Sequence, residues 1–526
     1  MSKNFKNIII SVLTFLFLVG IYLSINTGIS HDEFHEHQNW QINLKAIKDF
    51  LSTGNYNDLI VYKDRYHGIG FSYISQPIQY IFSDFLLGYL NINNYGSILI
   101  SKHIAVFSLF FISGIFFYLL ISLLIKEKKI AFISLLIYLL YPYLFGHALF
   151  NPKDIPFLSI WIICTYFISV IIKDLFLKKN ISFKDLIFLS LLTSLLISIR
   201  IVGLLIILQY LIFILFYFES KKIPVIEFLK VFKKQIILSI FLICSLTYIM
   251  NPIFWHNPLE IINSVTLMSK YQQDICTTTL GKCVEALNLP ASYYFVWMFF
   301  KLPIIILIGF FIFPLVEKKI FQSKFEKIII LSIITTVISI LLLFIIFNVA
   351  IYDEIRHIMF LIPLIFIFSI YNLYLFNKKI FSYLGMFFVA FFILENISLK
   401  GYSYTWLNSF SKFYNINKDF EVDYWGISNK NLSLKIRDHS TDNNFDKSNC
   451  IYGDKYSKVF LENYNFKCFK SYSELDSAKD RPFYVIKNVR NTRRSDPKEC
   501  DLIMEDGYSY TFKKDKVVTG QLWFCD

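Results

Sequence analysis

Long apolar segments alternate with short polar loops along the first 397 residues of the chain. A run of about 20 apolar residues can cross the hydrocarbon core of a bilayer as a helix, and a helix satisfies its backbone hydrogen bonds within itself. The fifth and sixth runs are joined, with a break near Arg200 and Gly203, so one bent or tilted helix would also fit there. The pattern predicts an all-α polytopic membrane protein with about eleven transmembrane helices, near residues 7–26, 98–125, 129–146, 155–173, 185–199, 201–218, 235–252, 293–315, 327–349, 357–376 and 380–397.

The composition supports a membrane protein and argues against a nucleic-acid partner. Hydrophobic residues make up 55% of the 526 residues and charged residues 17%, whereas soluble domains carry about 25% charge. The net charge of +13 could suggest nucleic-acid binding, but the cations lie mostly in short loops between apolar runs. There they are better explained by membrane orientation. We therefore expect membrane lipid, and no nucleic acid, as a partner.

Lysine clusters define the predicted orientation of the helices. They follow the second, fourth, sixth, eighth and tenth spans, and with eleven spans they all fall on the side of Lys3 and Lys6. The positive-inside rule makes that side the cytoplasm. The first span lacks a small-residue cleavage pattern, which favours a retained helix over a signal peptide. The clusters are Lys126, Lys128 and Lys129; Lys173, Lys178, Lys179 and Lys184; Lys221, Lys222, Lys230, Lys233 and Lys234; Lys318, Lys319, Lys324 and Lys327; and Lys378 and Lys379.

Four segments are expected on the opposite, outer side: 27–97, 147–154, 253–292 and 398–526. The last of these, the tail, is polar and contains short apolar runs such as 483–486. This pattern predicts a small soluble domain of α/β or mostly β structure. We therefore divide the chain into a transmembrane domain, 1–397, and an outer C-terminal domain, 398–526.

The cysteines fit the same orientation. Cys164 and Cys244 lie in predicted spans, and the other six all lie in predicted outer segments. An even number of outer cysteines is typical of disulfides in an oxidising compartment. The four tail cysteines allow three connectivities, among which chain order cannot decide. The expected pairs are Cys276–Cys283, Cys450–Cys468 and Cys500–Cys525.

A run of histidines and acids, 31–37, follows directly after the first span. Its acids Asp32 and Glu33 could supply a carboxylate base. Its imidazoles His31, His35 and His37 could instead hold a divalent cation together with carboxylates. A solvated interfacial loop without a chemical role is the third interpretation. Farther along the same outer loop, His67 could line a cavity, although ordinary amphipathic packing explains that segment as well.

A second polar turn, 145–156, joins two spans with almost no spare residues. It contains His147, Asn151, Lys153 and Asp154. Lys153 and Asp154 could pair with each other, or the lysine could meet a lipid phosphate as a point charge.

Further cations are predicted at the outer membrane depth. An arginine within a membrane costs about 2.5–3.5 kcal/mol on insertion scales, so Arg200 needs either a structural salt bridge or an anion. Lys301 lies about two turns into the eighth span and could snorkel outward or face the same cavity. Arg356 and His357 open the tenth span. Cations at this depth could hold a phosphate leaving group, while a carboxylate deprotonates an acceptor.

Three motifs resemble one enzyme family. They are Asp32-Glu33 after the first span, the segment Gly146 to Pro156, and Arg356-His357 with Pro363 following. In order and topology they resemble glycosyltransferase family 39, the protein mannosyltransferases and aminoarabinose transferases of the GT-C fold. The tail segment 423–426 also resembles bacterial members, whereas the last 100 or so residues resemble no family. The similarity covers residues 1 to about 430.

The resemblance implies transfer of a sugar from a polyprenyl-phosphate donor to a lipid, glycan or protein acceptor on the outer face of a bacterial inner membrane. It implies that Asp32 is the catalytic base, with Glu33 beside it and Asp154 as a second acid. No cofactor is required, although a divalent cation is compatible. The candidates for substrate binding are Lys153, Arg200, Lys301, Arg356, His357, His147 and Asn151.

Two other functions fit parts of the same pattern. A transporter or flippase of a lipid-linked or charged sugar would also carry intramembrane polar residues, but transporters place them near the midplane and often show internal repeats. Here the polar residues cluster at the predicted outer rim and no repeat is evident. A polymerase or ligase that uses a diphosphate-linked donor would differ in its donor more than in the position of its site.

Overall fold

The computed structural model describes residues 3–178, 180–271, 275–322, 324–442, 445–477, 481–488 and 496–526. Lys179 of the predicted cytoplasmic loops lies outside the described residues. So do parts of the predicted outer loop 253–292 and of the tail.

Helices dominate the described part of the chain up to residue 442. In chain order they are α1 Lys3–Asn26, α2 His31–Thr53, α3 Asn57–Val61, α4 Gly70–Leu90, α5 Asn94–Leu124, α6 Lys128–Leu140, α7 Pro142–Ala148, α8 Asp154–Phe176, α9 Phe183–Ile199, α10 Leu205–Lys221, α11 Val225–Met250, α12 Ile253–His256, α13 Glu260–Ser269, α14 Ala291–Lys301, α15 Ile304–Phe311, α16 Phe313–Gln322, α17 Lys324–Ile346, α18 Ile362–Ser398, α19 Ile416–Asp419, α20 Asn429–Asp442 and α21 Lys458–Leu461.

Six helices in the described residues are long and apolar enough to cross a membrane, or up to eight if each of two bent pairs is one span. The chain is therefore an integral membrane protein. The expected number of eleven spans stays a prediction. One reason for the difference is that the last two predicted spans lie in one continuous helical stretch, Arg356–Ser398. That stretch is broken at Asn377, whose φ of −161° and ψ of 109° are not helical.

Both bent pairs turn at a proline. α6 and α7 meet at 60° before Pro142, and α14 and α15 meet at 118° next to Pro303. Proline lacks the backbone N–H, and it disfavours helical geometry in the residue before it. The first bend leads α7 into the polar turn that contains Lys153, and the second lies directly after Lys301.

Helix α2 begins with a capping box at Ser30. The backbone N–H and the hydroxyl of Ser30 both donate to Glu33 Oε2, at 2.6 and 2.9 Å. In return the Ser30 side chain accepts from the backbone N–H of Glu33, so the capping box satisfies donors that a helix N-terminus leaves unpaired. The helix ends at Gly54, whose φ of 73° is the left-handed conformation that glycine adopts without cost. The cap fixes the first turn of α2, which carries Asp32.

The tail contains a five-stranded mixed sheet. Its strand order is β4-β3-β5-β7-β6, with β3 parallel to β4 and β5, and with β7 antiparallel to β5 and β6. Helix α20 packs on this sheet through Leu432 and Ile436. A separate hairpin, β1 and β2, lies in the segment between α13 and α14. The strands are β1 Cys276–Thr279, β2 Lys282–Glu285, β3 Cys450–Gly453, β4 Cys468–Ser471, β5 Phe483–Asn488, β6 Asp501–Tyr510 and β7 Lys513–Cys525.

Three disulfides link the extended segments. They join β1 to β2, β3 to β4, and the start of β6 to the end of β7. The expected pairs are confirmed: Cys276–Cys283, Cys450–Cys468 and Cys500–Cys525.

The tail shares a hydrophobic core with the helices. Tyr508, Tyr510 and Val517 of the sheet belong to the same buried cluster as the apolar faces of α5, α8 and α18. A second contact is made by α21, where Val459 and Phe460 pack with the residues that flank α4 and α5. The tail therefore packs closely on the helical part, on the face that carries α2.

Candidate active site

Asp32 is a partly exposed carboxylate in the first turn of α2. Its side chain is 39% exposed, and its Oδ2 accepts a hydrogen bond from Arg356 Nη1 at 3.0 Å. Burial raises the pKa of this carboxyl. The charge and the hydrogen bond of Arg356, with smaller contributions from His35 and Lys153, together lower the pKa by more than burial raises it, so it lies below its ordinary value. Asp32 is thus an ionised and accessible carboxylate held beside a cation.

Glu33 points away from Asp32 and is fully buried. Besides the Ser30 cap, its Oε1 lies 2.6 Å from His103 Nε2, and His103 Nδ1 lies 2.8 Å from the carbonyl oxygen of Ser24. Successive residues of an α-helix point about 100° apart, so the two acids cannot share one face. Glu33, expected to lie beside the base in the site, instead anchors α2 to α5.

Arg356 is buried beneath Asp32 and is enclosed by aromatic rings. Its guanidinium carbon lies 4.8 Å from the ring centre of Tyr352 and 4.5 Å from that of Trp425, distances typical of cation–π contacts. Two residues with positive φ precede it, Asp353 at 54° and Glu354 at 68°. Consecutive non-glycine residues in this region are costly, and such strain is concentrated at functional sites.

Asp154 begins α8 and is held by two arginines and an amide. Its Oδ2 accepts from Asn151 Nδ2 at 2.9 Å and lies 3.8 Å from Arg356 Nη1. Its Oδ1 pairs with Arg200 Nη2. Arg200 caps the C-terminus of α9 and is 15% exposed. We call Asp32, Asp154, Arg200 and Arg356 the acid–cation cluster.

His147 and Asn151 support this cluster from beneath. Asn151 Nδ2 lies 3.0 Å from His147 Nδ1, and His147 Nε2 lies 3.3 Å from the hydroxyl of Tyr424 in the tail. Both residues are completely buried. Substrate binding by these two residues stays a prediction; in the structure Asn151 contacts Asp154, and His147 contacts Asn151.

Lys153 borders the cluster. Its Nζ donates to Glu36 Oε1 at 2.6 Å and lies 3.4 Å from His67 Nδ1. A second lysine, Lys102 of α5, is buried and near enough to Glu36 and Lys153 to interact with their charges. Basic and acidic side chains thus alternate around Asp32.

The three histidines of the run 31–37 have three different sets of partners. His31 Nε2 pairs with Asp454 of the tail, and His35 Nε2 lies 3.0 Å from Asp64 Oδ2. His37 packs against the ring of Tyr95. These partners are separate, so the structure does not bring His31, His35 and His37 together, and a metal site built from all three stays a prediction.

Lys301 and His357 differ in their access to the site. Lys301 Nζ lies 2.8 Å from Glu354 Oε2, and both side chains are completely buried. Lys301 was expected to bind substrate, but this internal pair does not reach solvent. His357 packs edge-on against Tyr352 at 4.6 Å and remains near the cations of the cluster.

Several polar residues near Asp32 were not selected from the sequence. They are Glu36, Asp64 and Lys102. Lys102 carried a usable signal, because a charged residue within an apolar span is a candidate functional residue by default. Glu36 belongs to the run 31–37 but was not chosen as a site residue, and Asp64 carried no signal, since a carboxylate in a polar segment is ordinary.

The tail closes one side of the site. Trp425 stacks on Arg356, and its carbonyl oxygen accepts from the backbone N–H of His31 at 3.2 Å. Gly426 has a φ of 72°, and a Cβ there would lie 2.4 Å from His31 Nε2. Only glycine combines this conformation with so close an approach. The segment 423–426 is thus in contact with the first turn of α2.

Comparison with known proteins gives matches only among solved structures. The chain is similar to the crystal structure of ArnT from Cupriavidus metallidurans bound to undecaprenyl phosphate, with a TM-score of 0.49 and 9% identity over 100% of this chain and 98% of that chain. It is similar to the apo state of the same protein with a TM-score of 0.47 and 9% identity over 99% and 98%. No family model and no curated protein matches. At this level of similarity neither structure decides the function, which we derive from the site.

Proposed function

We propose that the protein is a membrane glycosyltransferase that moves a sugar from a polyprenyl-phosphate donor to an acceptor on the outer face of the membrane. The acceptor is a hydroxyl or amine of a lipid, glycan or protein. The observation that carries the proposal is the partly exposed Asp32 at 3.0 Å from Arg356. A general base and a phosphate-binding cation are the two groups that this transfer needs side by side.

In the proposed reaction Asp32 accepts the proton of the acceptor. The acceptor oxygen or nitrogen forms a bond to the anomeric carbon of the sugar while the bond from that carbon to the phosphate oxygen breaks. The electron pair of the broken bond stays on the phosphate, whose negative charge increases. Attack opposite the leaving group inverts the anomeric configuration.

Arg356, Arg200 and Lys153 would stabilise the charge that develops on the phosphate. Each already pairs with a carboxylate, so their positions are fixed before a donor binds. Preorganised cations need no rearrangement when charge develops in the transition state. Asp154 would act as a positioning residue, because it contacts both arginines and is 1% exposed.

The first test compares Asp32→Asn with wild type on a panel of radiolabelled polyprenyl-phosphate sugars. The purified protein is supplied with total lipid and glycan extracts as acceptors. We expect wild type to release polyprenyl phosphate and Asp32→Asn to lose about 100- to 10,000-fold in rate, as for other general bases. Asp58→Asn, an exposed carboxylate that pairs with Lys45, is the control and should retain activity. Normal turnover by Asp32→Asn would refute the assignment of the base.

One observation supports the alternative of a transporter. The helical pair α14 and α15 bends by 118° directly after Lys301, which forms a buried ion pair with Glu354. Transporters often use such broken helices at their substrate sites. If wild type consumes no donor but exchanges a labelled lipid-linked sugar across proteoliposomes, the transporter replaces the glycosyltransferase.

A further inference from the structure

We propose that His35, Asp64 and His67 form a binding site for a divalent transition-metal ion, with Zn²⁺ as the best-fitting ion. The three residues each offer one ligand atom, and these atoms lie within 4.8 Å of one another. His35 is on α2, whereas Asp64 and His67 are in the loop between α3 and α4. The proposal does not depend on the glycosyltransferase reaction.

The spacing of the ligand atoms suits a metal with small side-chain adjustments. His35 Nε2 and Asp64 Oδ2 are 3.0 Å apart. Bonds of about 2.0–2.2 Å to zinc in tetrahedral geometry place ligand atoms roughly 3.3 Å from each other. The imidazole of His67 meets that of His35 edge-on, with ring centres 4.9 Å apart, so a modest rotation of its ring completes a three-ligand face.

Neighbouring groups hold two of the ligands in place. Tyr271 donates its hydroxyl to the second oxygen of Asp64, Oδ1, at 2.9 Å. Asn39 Nδ2 lies 3.4 Å from His35 Nδ1, on the far side of the ring from Asp64. Outer hydrogen bonds of this kind fix the ring and carboxylate orientations in metal sites.

His67 has a nitrogen available for a ligand bond. Its Nε2 is buried and makes no hydrogen bond within the described part of the chain. The nearby ammonium of Lys153, 3.4 Å from Nδ1, is itself compensated by Glu36 at 2.6 Å. The carboxylate of Asp64 is the one acidic ligand of the set, and Glu36 pairs with Lys153 instead.

The donor set selects the class of ion. Two imidazoles and one carboxylate are borderline ligands that suit zinc and similar transition metals, whereas calcium and magnesium prefer oxygen ligands. All three side chains are partly exposed, which leaves a position for water. The ion would tie the loop between α3 and α4 to α2 at His35, a little less than one helical turn after Asp32.

The test measures zinc bound to the full-length protein, purified in detergent without a histidine tag. The protein is stripped with EDTA, equilibrated with ZnCl₂, desalted and analysed by mass spectrometry of the metal. We expect about one tightly bound zinc per chain in wild type and a rise in melting temperature with added ZnCl₂, because a ligand that binds only the folded state stabilises it. Asp64→Asn and His67→Gln should each lose both effects.

His37→Gln is the matched control, since His37 lies on the same helix but contacts Tyr95 instead. It should keep the bound zinc. Variants are compared only when their size-exclusion profiles match wild type, and His35→Gln provides a further ligand variant should one fail to fold. The proposal is overturned if wild type retains no zinc, if both Asp64→Asn and His67→Gln retain it, or if His37→Gln loses it as the ligand variants do.

Discussion

Asp32 and Arg356 are coupled in a way that bears on catalysis. The guanidinium lowers the pKa of Asp32 below its ordinary value, which keeps the carboxylate ionised but makes it a weak base. A phosphate bound to Arg356 would partly neutralise the guanidinium, so the attraction between Arg356 and Asp32 would weaken. Donor binding would then raise the basicity of the carboxylate at the moment when the acceptor must lose its proton.

This coupling predicts two different acid limbs in the pH dependence of transfer. Because the ionised carboxylate is the active form, activity should fall as pH drops through the pKa of Asp32. In kcat/KM, which reports the free enzyme, the limb should lie below the ordinary value of 3.8. In kcat, which reports the complex, it should lie at higher pH. Recovery of full activity after return to neutral pH would show that the protein had not unfolded at low pH. If kcat/KM and kcat fell at the same pH, the coupling would be contradicted.

At the scale of elements, α2 is held by three neighbours. Glu33 ties it to α5 through His103, and His35 contacts Asp64 in the loop after α3. The third neighbour is the tail, where Asp454 pairs with His31 and Tyr456 stacks on Phe34 at 4.0 Å. Asp454 directly follows β3, which a disulfide joins to β4. A rigid sheet therefore supports the turn that carries Asp32.

Asp454→Asn should impair transfer without unfolding the protein. Loss of the charge opposite His31 loosens the first turn of α2, and a displaced reacting group can cost up to about 100-fold in rate. We expect a lower kcat with an unchanged KM for the donor and a nearly unchanged melting temperature, measured side by side. Asp438→Asn, an exposed tail carboxylate, is the control. A kcat equal to wild type in Asp454→Asn would show that the tail does not position the base.

At the scale of the whole molecule, the tail and the helices form one folded unit in the described residues. The backbone N–H of Thr511 donates to Glu395 Oε1 of α18 at 3.0 Å, and the hydroxyl of Ser398, the last residue of α18, donates to the carbonyl oxygen of Ser509 at 2.6 Å. Their shared core includes aromatic side chains from both parts, such as Trp406 of the tail, which packs edge-on against Phe392 of α18. The tail is therefore unlike a domain on a flexible linker, and its side of the membrane is also the side of the acid–cation cluster.

The orientation predicted from the lysine loops can be tested by cysteine labelling of intact cells. In a Cys244→Ser background, Asp515→Cys in the tail should react with a membrane-impermeant maleimide, since the Asp515 side chain is 82% exposed. Lys318→Cys on α16 should react only after the membrane is permeabilised. The reverse labelling pattern would show that the orientation is opposite to the predicted one and that Asp32 lies on the cytoplasmic side.

Much of the framework was predictable because its signals are local in the chain. Apolar runs marked segments that are helical in the structure, and the composition of the tail indicated a small domain of α/β or mostly β structure. The three expected disulfide pairs are those of the structure, although chain order alone did not exclude the other connectivities in the tail. Arg200 was singled out because an arginine in an apolar run is costly. Asp32, Lys153, Asp154 and Arg356 were selected from polar motifs at the ends of predicted spans and from the family resemblance. They do lie together, although their catalytic roles remain predictions.

Tertiary structure decided which polar residues face the site. The sequence could not show which of Asp32 and Glu33 faces the site, because the direction of each side chain depends on how α2 is rotated against α5. Nor could it show that Lys301 pairs with Glu354, or that His35 lies beside Asp64 instead of His31 and His37. Asp32 and Arg356 are 324 residues apart in the chain. Hydropathy and spacing determine what each segment becomes, but contacts between distant segments arise only when the helices pack.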